Sequence, residues 1–181
     1  MSSPRPSGWL PPEQFVPTLS HGIAYASLLF TDTEGRLLGL RSALDPTELH
    51  FPGGLLDPGE DLFACACRET VEELGFLPAA VDRGQPRLLV MSFTSPEPPW
   101  PWKVGAVFDG GTLDAEDIGR ITLDPAEHSS YAFKPVQDWI AAVSPRRARV
   151  LNATVTARAT GGAVYLGPFE ETRALRAAVE P

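Results

Sequence analysis

Three glutamates, Glu69, Glu72 and Glu73, are spaced so that they can act together on one face of a helix. The i, i+3, i+4 spacing places their carboxylates side by side, where like charges repel and weaken a helix unless a cation lies between them. Clusters of carboxylate oxygens suit hard divalent cations such as Mg²⁺ or Mn²⁺. The spacing therefore predicts a metal site with Mg²⁺ or Mn²⁺ as its cofactor.

The residues around the glutamates predict a helix with defined ends. Asp61 is a favourable N-cap residue, and Gly75 can adopt the left-handed conformation that ends many helices. Gly53-Gly54 and Pro58-Gly59 predict a loop with tight turns before the helix, in which backbone carbonyls can point at a ligand. The helix face opposite the carboxylates carries residues that can pack on a core: Phe63, Cys67, Thr70 and Leu74.

The stretch from Gly54 to Phe76 resembles the Nudix box, whose pattern is G-x5-E-x7-R-E-U-x-E-E-x-G-U, with U a bulky apolar residue. Eight positions match in order and spacing: Gly54, Glu60, Arg68, Glu69, Glu72, Glu73, Gly75 and Phe76. Thr70 departs from the pattern at the first U, where its methyl group can still pack. Because so many fixed positions agree in register, a merely solvated acidic helix is the disfavoured alternative.

The resemblance implies the Nudix fold, a mixed β-sheet sandwiched between helices. The predicted order of elements, a hairpin, a loop and helix, more strands and terminal helices, is typical of an α+β fold rather than of repeated βαβ units. We expect a single Nudix domain over residues 1–181, with a proline-rich extended lead at 1–16, the core at 17–167 and a tail at 168–181.

Periodicity and turn residues predict the remaining elements. Strands are predicted at residues 21–31, 36–41, 87–94, 103–108, 131–134 and 163–166, and helices at 135–143 and 145–159. The Asp-Gly-Gly sequence at residues 109–111 is predicted as a turn. Residues 118–123 are predicted as a short strand or connector.

The resemblance also implies a chemistry. Nudix-like enzymes are metal-dependent pyrophosphohydrolases, in which water attacks phosphorus and cleaves a diphosphate bond in a nucleoside diphosphate linked to another moiety. The implied metal ligands are the Gly53 carbonyl, Glu69, Glu72, Glu73 and Glu127, the last in a loop before an aromatic-rich strand. The general base is left open among Glu69, Glu73 and Glu127. Arg68, which can pair with Glu72 at i+4, is predicted to orient the carboxylates.

Three residues outside the box are candidates for substrate binding. Arg41 lies near the end of a predicted strand, where similar proteins often place an arginine on substrate phosphate; a surface salt bridge is the alternative. Trp100 and Trp102 lie in a proline-rich loop and offer flat faces on which a base could stack; closing an edge of the sheet is the alternative. His50 is interpreted as a packing residue.

The substrate is left open among a nucleoside triphosphate, ADP-ribose and a nucleotide sugar. The alternative function is a non-catalytic, nucleotide-binding or regulatory module of the same fold. A pure binding module has no need for all the box glutamates, which favours the enzyme.

Composition limits the partners. The net charge of -8 over 181 residues makes the chain a poor ligand for nucleic acid, and an anionic substrate would need a bridging cation. The sequence contains no run of 18 apolar residues, so we expect no membrane span. The N-terminus lacks the apolar segment that a signal peptide requires. We therefore expect a cytoplasmic protein that acts on a nucleotide-type small molecule, without nucleic-acid or membrane partners; a homodimer is left open.

Overall fold

One mixed sheet forms the centre of the structure, a computed structural model that describes residues 10–44 and 49–168. The strands are β1 (Gly22–Asp32), β2 (Leu37–Ser42), β3 (Leu49–His50), β4 (Gly53–Leu55), β5 (Leu88–Thr94), β6 (Trp102–Leu113), β7 (His128–Lys134) and β8 (Val164–Leu166). The α-helices are α1 (Pro12–Phe15), α2 (Leu62–Leu74), α3 (Ala115–Arg120), α4 (Val136–Ala142) and α5 (Pro145–Thr160), and a 3₁₀ turn covers Val16–Thr18.

The sheet order places β1 at the centre. The strands run β3-β2-β1-β6-β5-β8, β4 pairs with the free part of β1, and β7 pairs with β2. Pairing is parallel between β1 and β6 and between β5 and β8, and antiparallel elsewhere. The β1–β2 hairpin is paired only at Thr31 and Leu37, so most of β2 is held by β7 and β3.

Each face of the sheet is covered by helices, as predicted for the fold. On one face, α2 buries Cys65, Ala66 and Leu74 against alternate residues of β1, β2 and β6. On the other face, α4 and α5 bury Trp139 and Leu151 against the opposite set of strand residues. The alternation of side chains along β1 and β6 therefore decides which helix layer each residue meets.

The ends of α2 agree with the predicted caps. The Asp61 carboxylate accepts hydrogen bonds from the backbone N–H groups of Phe63 and Ala64, at 2.8 and 2.9 Å. Gly75 ends the helix in the left-handed conformation, with φ of 84°. Thr70 is fully buried and donates its hydroxyl to the Ala66 carbonyl at 2.7 Å, which satisfies the one polar group on the packed face.

Two local predictions were wrong. Residues 109–111 lie inside β6 and not in a turn, because the irregularity is a bulge that pairs Leu29 and Phe30 with Asp109 and Gly111. Gly111 supplies the positive φ of 88° that the bulge needs, and its N–H donates to Asp109 Oδ1 at 3.0 Å. Residues 115–120 form the helix α3, since the Asp114 carboxylate caps the N–H groups of Glu116 and Asp117.

Only short parts of the predicted lead and tail fall within the described residues, and part of the lead is helical. Residues 1–9 and 169–181, which hold most of the predicted lead and tail, lie outside the described residues. Pro12–Phe15 forms one helical turn and not extended chain, with a proline at the first position, where its missing N–H costs nothing. No helix among the described residues combines the length and apolar character that crossing a membrane requires.

Asp32 closes the turn between β1 and β2. Its buried carboxylate accepts hydrogen bonds from the N–H groups of Glu34 and Arg36 and from Arg36 Nε, the last at 2.6 Å. Burial by itself would raise the pKa of this carboxyl, but the hydrogen bonds from Arg36 outweigh burial and hold the pKa below its ordinary value of 3.8. A lowered pKa makes the carboxylate stabilising above pH 3.8, and that stabilisation is lost as the pH falls through the lower folded value.

We expect Asp32→Asn to lower the free energy of unfolding at pH 7 by about 1.5–3 kcal/mol, because the amide cannot replace a charged acceptor. The difference from wild type should shrink at pH 3, below the ordinary pKa of 3.8, because the carboxyl of the unfolded chain is then mostly protonated. Urea denaturation at both pH values measures it. Glu34→Gln, which alters the exposed partner of Arg36, is the control and should change stability by less than about 0.5 kcal/mol. Equal losses from both substitutions would contradict this account.

Candidate active site

The strand β4 holds the box glutamates against the sheet. The Gly53 N–H donates to Glu73 Oε2 at 2.8 Å. A Cβ at Gly54 would overlap the carboxylate of Glu69, so only glycine lets that carboxylate lie flat against the backbone. The two glycines of the box thus bring two carboxylates of α2 to one short stretch of backbone.

Glu73 is the most buried of the box carboxylates, with 5% of its surface exposed. Its Oε1 lies 2.6 Å from Nε2 of His128, which is also buried. Burial raises the pKa of Glu73 to about 7, although the hydrogen bonds from His128 and Gly53 act in the opposite direction. The site therefore disfavours a negative charge that a bound cation would stabilise.

Glu127 approaches this pair from the loop before β7. One ligand atom from each of Glu73, Glu127 and His128 lies within 4.8 Å of the others. Glu127 is exposed, and its backbone carbonyl accepts the N–H of Ala43 at 2.8 Å, which fixes the loop. The fold thus brings together two carboxylates that are 54 positions apart in the sequence.

Arg68 lies between three carboxylates of the box. Its Nε donates to Glu60 Oε1 at 2.8 Å, and its Nη1 donates to Glu69 Oε1 at 3.0 Å and to Glu72 Oε2 at 2.9 Å. Nη2 also donates to the carbonyl of Leu55, which ties the helix to β4. The hydrogen bond from Arg68 lowers the pKa of Glu60, and burial raises the pKa of Glu69. A role in orienting carboxylates needs contacts of this kind, and that role of Arg68 stays a prediction.

The donor set fits a hard divalent cation. Glu69 and Glu73 are largely buried around β4, while Glu72 is half-exposed and Glu127 is exposed. Carboxylate oxygens are the ligands that Mg²⁺ and Mn²⁺ prefer, and a partly open shell leaves room for water and substrate. His128 Nδ1 is the one buried side-chain nitrogen or oxygen within residues 10–44 and 49–168 that lacks a hydrogen-bond partner.

A cavity of about 540 Å³ adjoins the carboxylates through Gly53 and Gly54, which line it. It lies on the sheet face that α5 covers, and Tyr25 forms part of its floor. The Tyr25 ring crosses Gly105, where a Cβ would overlap it, and its hydroxyl lies 3.5 Å from the Ser92 hydroxyl. Cavities of this size hold nucleotide-sized ligands.

The two candidate tryptophans lie on opposite faces of the sheet. Trp100 lines the cavity with 55% of its surface exposed, and Lys103 Nζ lies 4.3 Å from its ring centroid. Trp102 does not line the cavity: it stacks on Phe93 at 6.0 Å and donates to the Ser20 hydroxyl at 2.6 Å. The alternation along β6 separates Trp102 from the cavity side, and its contacts lie at the start of this interior strand, beside Gly22 of β1.

Arg41 and His50 lie near β7. The Arg41 guanidinium carbon lies 5.7 Å from the Trp139 ring centroid, and Arg41 is not among the residues that line the cavity. His50 does line the cavity, and its ring lies 6.2 Å from that of His128. Of the residues predicted to bind substrate, Trp100 alone lies at the cavity.

Sequence reasoning missed four residues of this region: Tyr25, Lys103, Arg146 and His128. The residues next to Tyr25, Lys103 and Arg146 in the sequence form no known functional motif. Arg146 lies in a predicted helix, where an arginine is usually exposed to solvent. His128 directly follows Glu127, and this was the one available signal, because a histidine beside a proposed metal ligand is itself a candidate.

Solved structures share this fold at low sequence identity. A MutT protein from Methanosarcina mazei Go1 matches with a TM-score of 0.58 and 22% identity, over 78% of this chain and 96% of the other. The Ap4A hydrolase of C. elegans matches with 0.58 and 23%, over 77% and 98%. A MutT Nudix hydrolase from Burkholderia pseudomallei matches with 0.57 and 20%, over 75% and 98%. At these identities the likeness establishes the fold.

No curated protein matches the chain, but a family model does. The family model of the NUDIX domain matches residues 21–154, which is most of the chain and includes the whole box, β1, β6 and the Glu127 loop. The chain therefore belongs to the Nudix hydrolase superfamily.

Proposed function

We propose that this protein is a pyrophosphohydrolase that depends on Mg²⁺ or Mn²⁺ and cleaves a diphosphate bond in a nucleoside diphosphate derivative. The observation that carries the proposal is the contact of Glu69 and Glu73 with Gly53-Gly54, at the wall of a nucleotide-sized cavity. Membership of the Nudix hydrolase superfamily supports hydrolysis of phosphoanhydride bonds. The contacts of Glu69 and Glu73 with Gly53-Gly54 support this region as the place where hydrolysis occurs.

The proposed metal ligands are the Gly53 carbonyl, Glu69, Glu72, Glu73 and Glu127. When bound, the divalent cation supplies positive charge that neutralises the diphosphate oxygens and the departing phosphate. Arg68 keeps Glu69 and Glu72 in place through its two hydrogen bonds from Nη1. Gly53 and His128 fix the orientation of Glu73, so the carboxylates are arranged before substrate enters.

Glu127 is the proposed general base. Both oxygens of Glu73 already accept hydrogen bonds, and Glu69 is held by Arg68. Glu127 is exposed, has a side chain with no hydrogen bond among the described residues, and lies within reach of Glu73. It can therefore accept a proton from water beside the carboxylate cluster.

We expect Glu127→Gln to lower turnover at least tenfold, and by about 10²–10⁴ if it is the base, because the amide cannot accept the proton. The melting temperature should not change, since the hydrogen bond of this loop to Ala43 uses the backbone. Steady-state kinetics and thermal unfolding measure both. Glu116→Gln, at another exposed glutamate, is the control and should leave turnover unchanged. Equal turnover in both variants would move the base to Glu69 or Glu73.

A nucleotide panel with Mg²⁺ tests the function. Nucleoside triphosphates, ADP-ribose and nucleotide sugars should be incubated with the protein, and the nucleoside monophosphate and phosphate products separated by chromatography. Cleavage of at least one class is the expected result. Tight binding of these nucleotides with no turnover of any of them would contradict the proposal and favour a nucleotide-binding module.

A further inference from the structure

The far end of the cavity is positively charged. Arg146 and Arg147 from the start of α5 and Lys103 from β6 line it, and Glu97 is the one carboxylate among the described lining residues. The chain as a whole has a net charge of -8, so this group of cations differs in sign from the rest of the protein. We call these three residues the cationic end of the cavity.

The cationic end is separated from the carboxylate cluster by three strand spacings of the sheet. Arg146 Nη2 donates to the Thr94 hydroxyl on β5, which places its guanidinium above that strand. From β4, which the carboxylates of Glu69 and Glu73 contact, the sheet passes through β1 and β6 to β5. Three strand spacings amount to about 14 Å. A diphosphate held at the glutamates therefore does not reach Arg146.

The cations of this end are incompletely paired by the protein. Within the described ranges, the Arg147 guanidinium has no hydrogen-bond or ion-pair partner, and Lys103 Nζ contacts only the ring of Trp100. Arginine forms two parallel hydrogen bonds with a phosphate group, and such charge-assisted bonds are about twice as strong as neutral ones. Trp100 beside Lys103 offers a flat surface for the adjoining nucleoside.

We propose that the cationic end binds a phosphate group of the substrate other than the diphosphate that is cleaved. This inference rests on the proposed function and narrows its substrate class to nucleoside diphosphate derivatives that carry a further phosphate monoester. A nucleotide sugar or ADP-ribose without that phosphate leaves Arg146 and Arg147 without an anionic partner and binds more weakly.

Matched pairs of substrates test the proposal. The pairs are coenzyme A with its 3′-dephospho form, NADP⁺ with NAD⁺, and ADP-ribose 2′-phosphate with ADP-ribose. In at least one pair we expect kcat/KM to favour the phosphorylated member by about tenfold or more, mainly through KM. In the double variant R146Q/R147Q the ratio within that pair should fall close to one. The double variant R83Q/R120Q removes the same charge outside the cavity and should keep the ratio.

Binding of simple ligands separates this proposal from the proposed function. Calorimetry on EDTA-treated protein compares AMP with adenosine 2′,5′- and 3′,5′-bisphosphate, and one bisphosphate should bind about tenfold more tightly in wild type but not in R146Q/R147Q. Thermal unfolding checks that both double variants are folded; if R146Q/R147Q is not, Arg147→Gln alone replaces it.

Three results would overturn the proposal. The first is the absence of any preference, in both kinetics and binding. The second is a preference that R146Q/R147Q retains. The third is an equal loss of kcat/KM in R146Q/R147Q for both members of every pair. That result would mean that the arginines bind the diphosphate that is cleaved. If no compound is hydrolysed but the bisphosphate preference is present and depends on the arginines, the proposed function fails and the phosphate site stands.

Discussion

Removing divalent cations with EDTA is expected to lower turnover of the best nucleotide substrate by about 10³-fold or more. Neutralising the charge of a diphosphate transition state is worth several kcal/mol, and each 1.36 kcal/mol is a factor of ten in rate. Arg68, the cation that contacts the box glutamates, cannot supply this charge, because it is fully engaged by Glu60, Glu69 and Glu72. Assays at fixed ionic strength, before and after dialysis against EDTA, measure the effect.

Restoring the cation distinguishes this loss from damage to the protein. Addition of Mg²⁺ or Mn²⁺ in excess of EDTA should return turnover to its starting value, whereas Ca²⁺ at the same concentration tests whether charge alone suffices. Undiminished turnover in EDTA-treated protein would show that the carboxylates do not act through a metal.

Glu73→Gln is expected to lower turnover by about 10²–10⁴ with the fold intact. The substitution keeps the volume of the side chain and lets its carbonyl oxygen accept the Gly53 N–H, but it removes a negative charge from the centre of the cluster. Because Glu73 is 5% exposed, losing that charge should leave the melting temperature of the metal-free protein unchanged or higher. Kinetics and thermal unfolding without metal give the two values.

Thr70→Val is the control for this substitution. It is another nearly isosteric change of a buried residue on α2, at a residue that packs on the core and bonds to Ala66. It should leave turnover within about twofold, whatever its effect on stability. Near-normal turnover in Glu73→Gln, or equal losses in both variants, would remove Glu73 from the proposed catalytic machinery.

The helix α2 could be predicted because its signals are local. The Asp61 and Gly75 caps, the packed face and the salt bridge from Arg68 to Glu72 all depend on residues within a few positions of one another. The same reasoning failed at Asp109–Gly111, since a turn and a strand bulge use the same residues and only pairing with β1 distinguishes them.

The parts of the site that depend on pairing between distant strands could not be predicted from the sequence. His128 meets Glu73 across 55 positions, because β7 pairs with β2 and not with its neighbour in sequence. An arginine in a helix is usually exposed to solvent, so its residue type did not indicate a site. The packing of α5 on β5 places Arg146 at the cavity. Trp102 was predicted to lie in the proline-rich loop, but it is the first residue of β6, and the sequence did not show which face of that strand it would occupy.

The central pairing of β1 with β6 joins residues 80 positions apart, such as Gly22 and Trp102, and β2 with β7 spans a still longer loop. Closing long loops costs entropy before any contact is gained, and such topologies fold slowly. A nascent chain that ends before residue 127 therefore carries the complete Nudix box and still lacks the Glu73–Glu127–His128 cluster. During synthesis, the Glu73–Glu127–His128 cluster can assemble only after β7 has left the ribosome and paired with β2, when most of the chain has already been made.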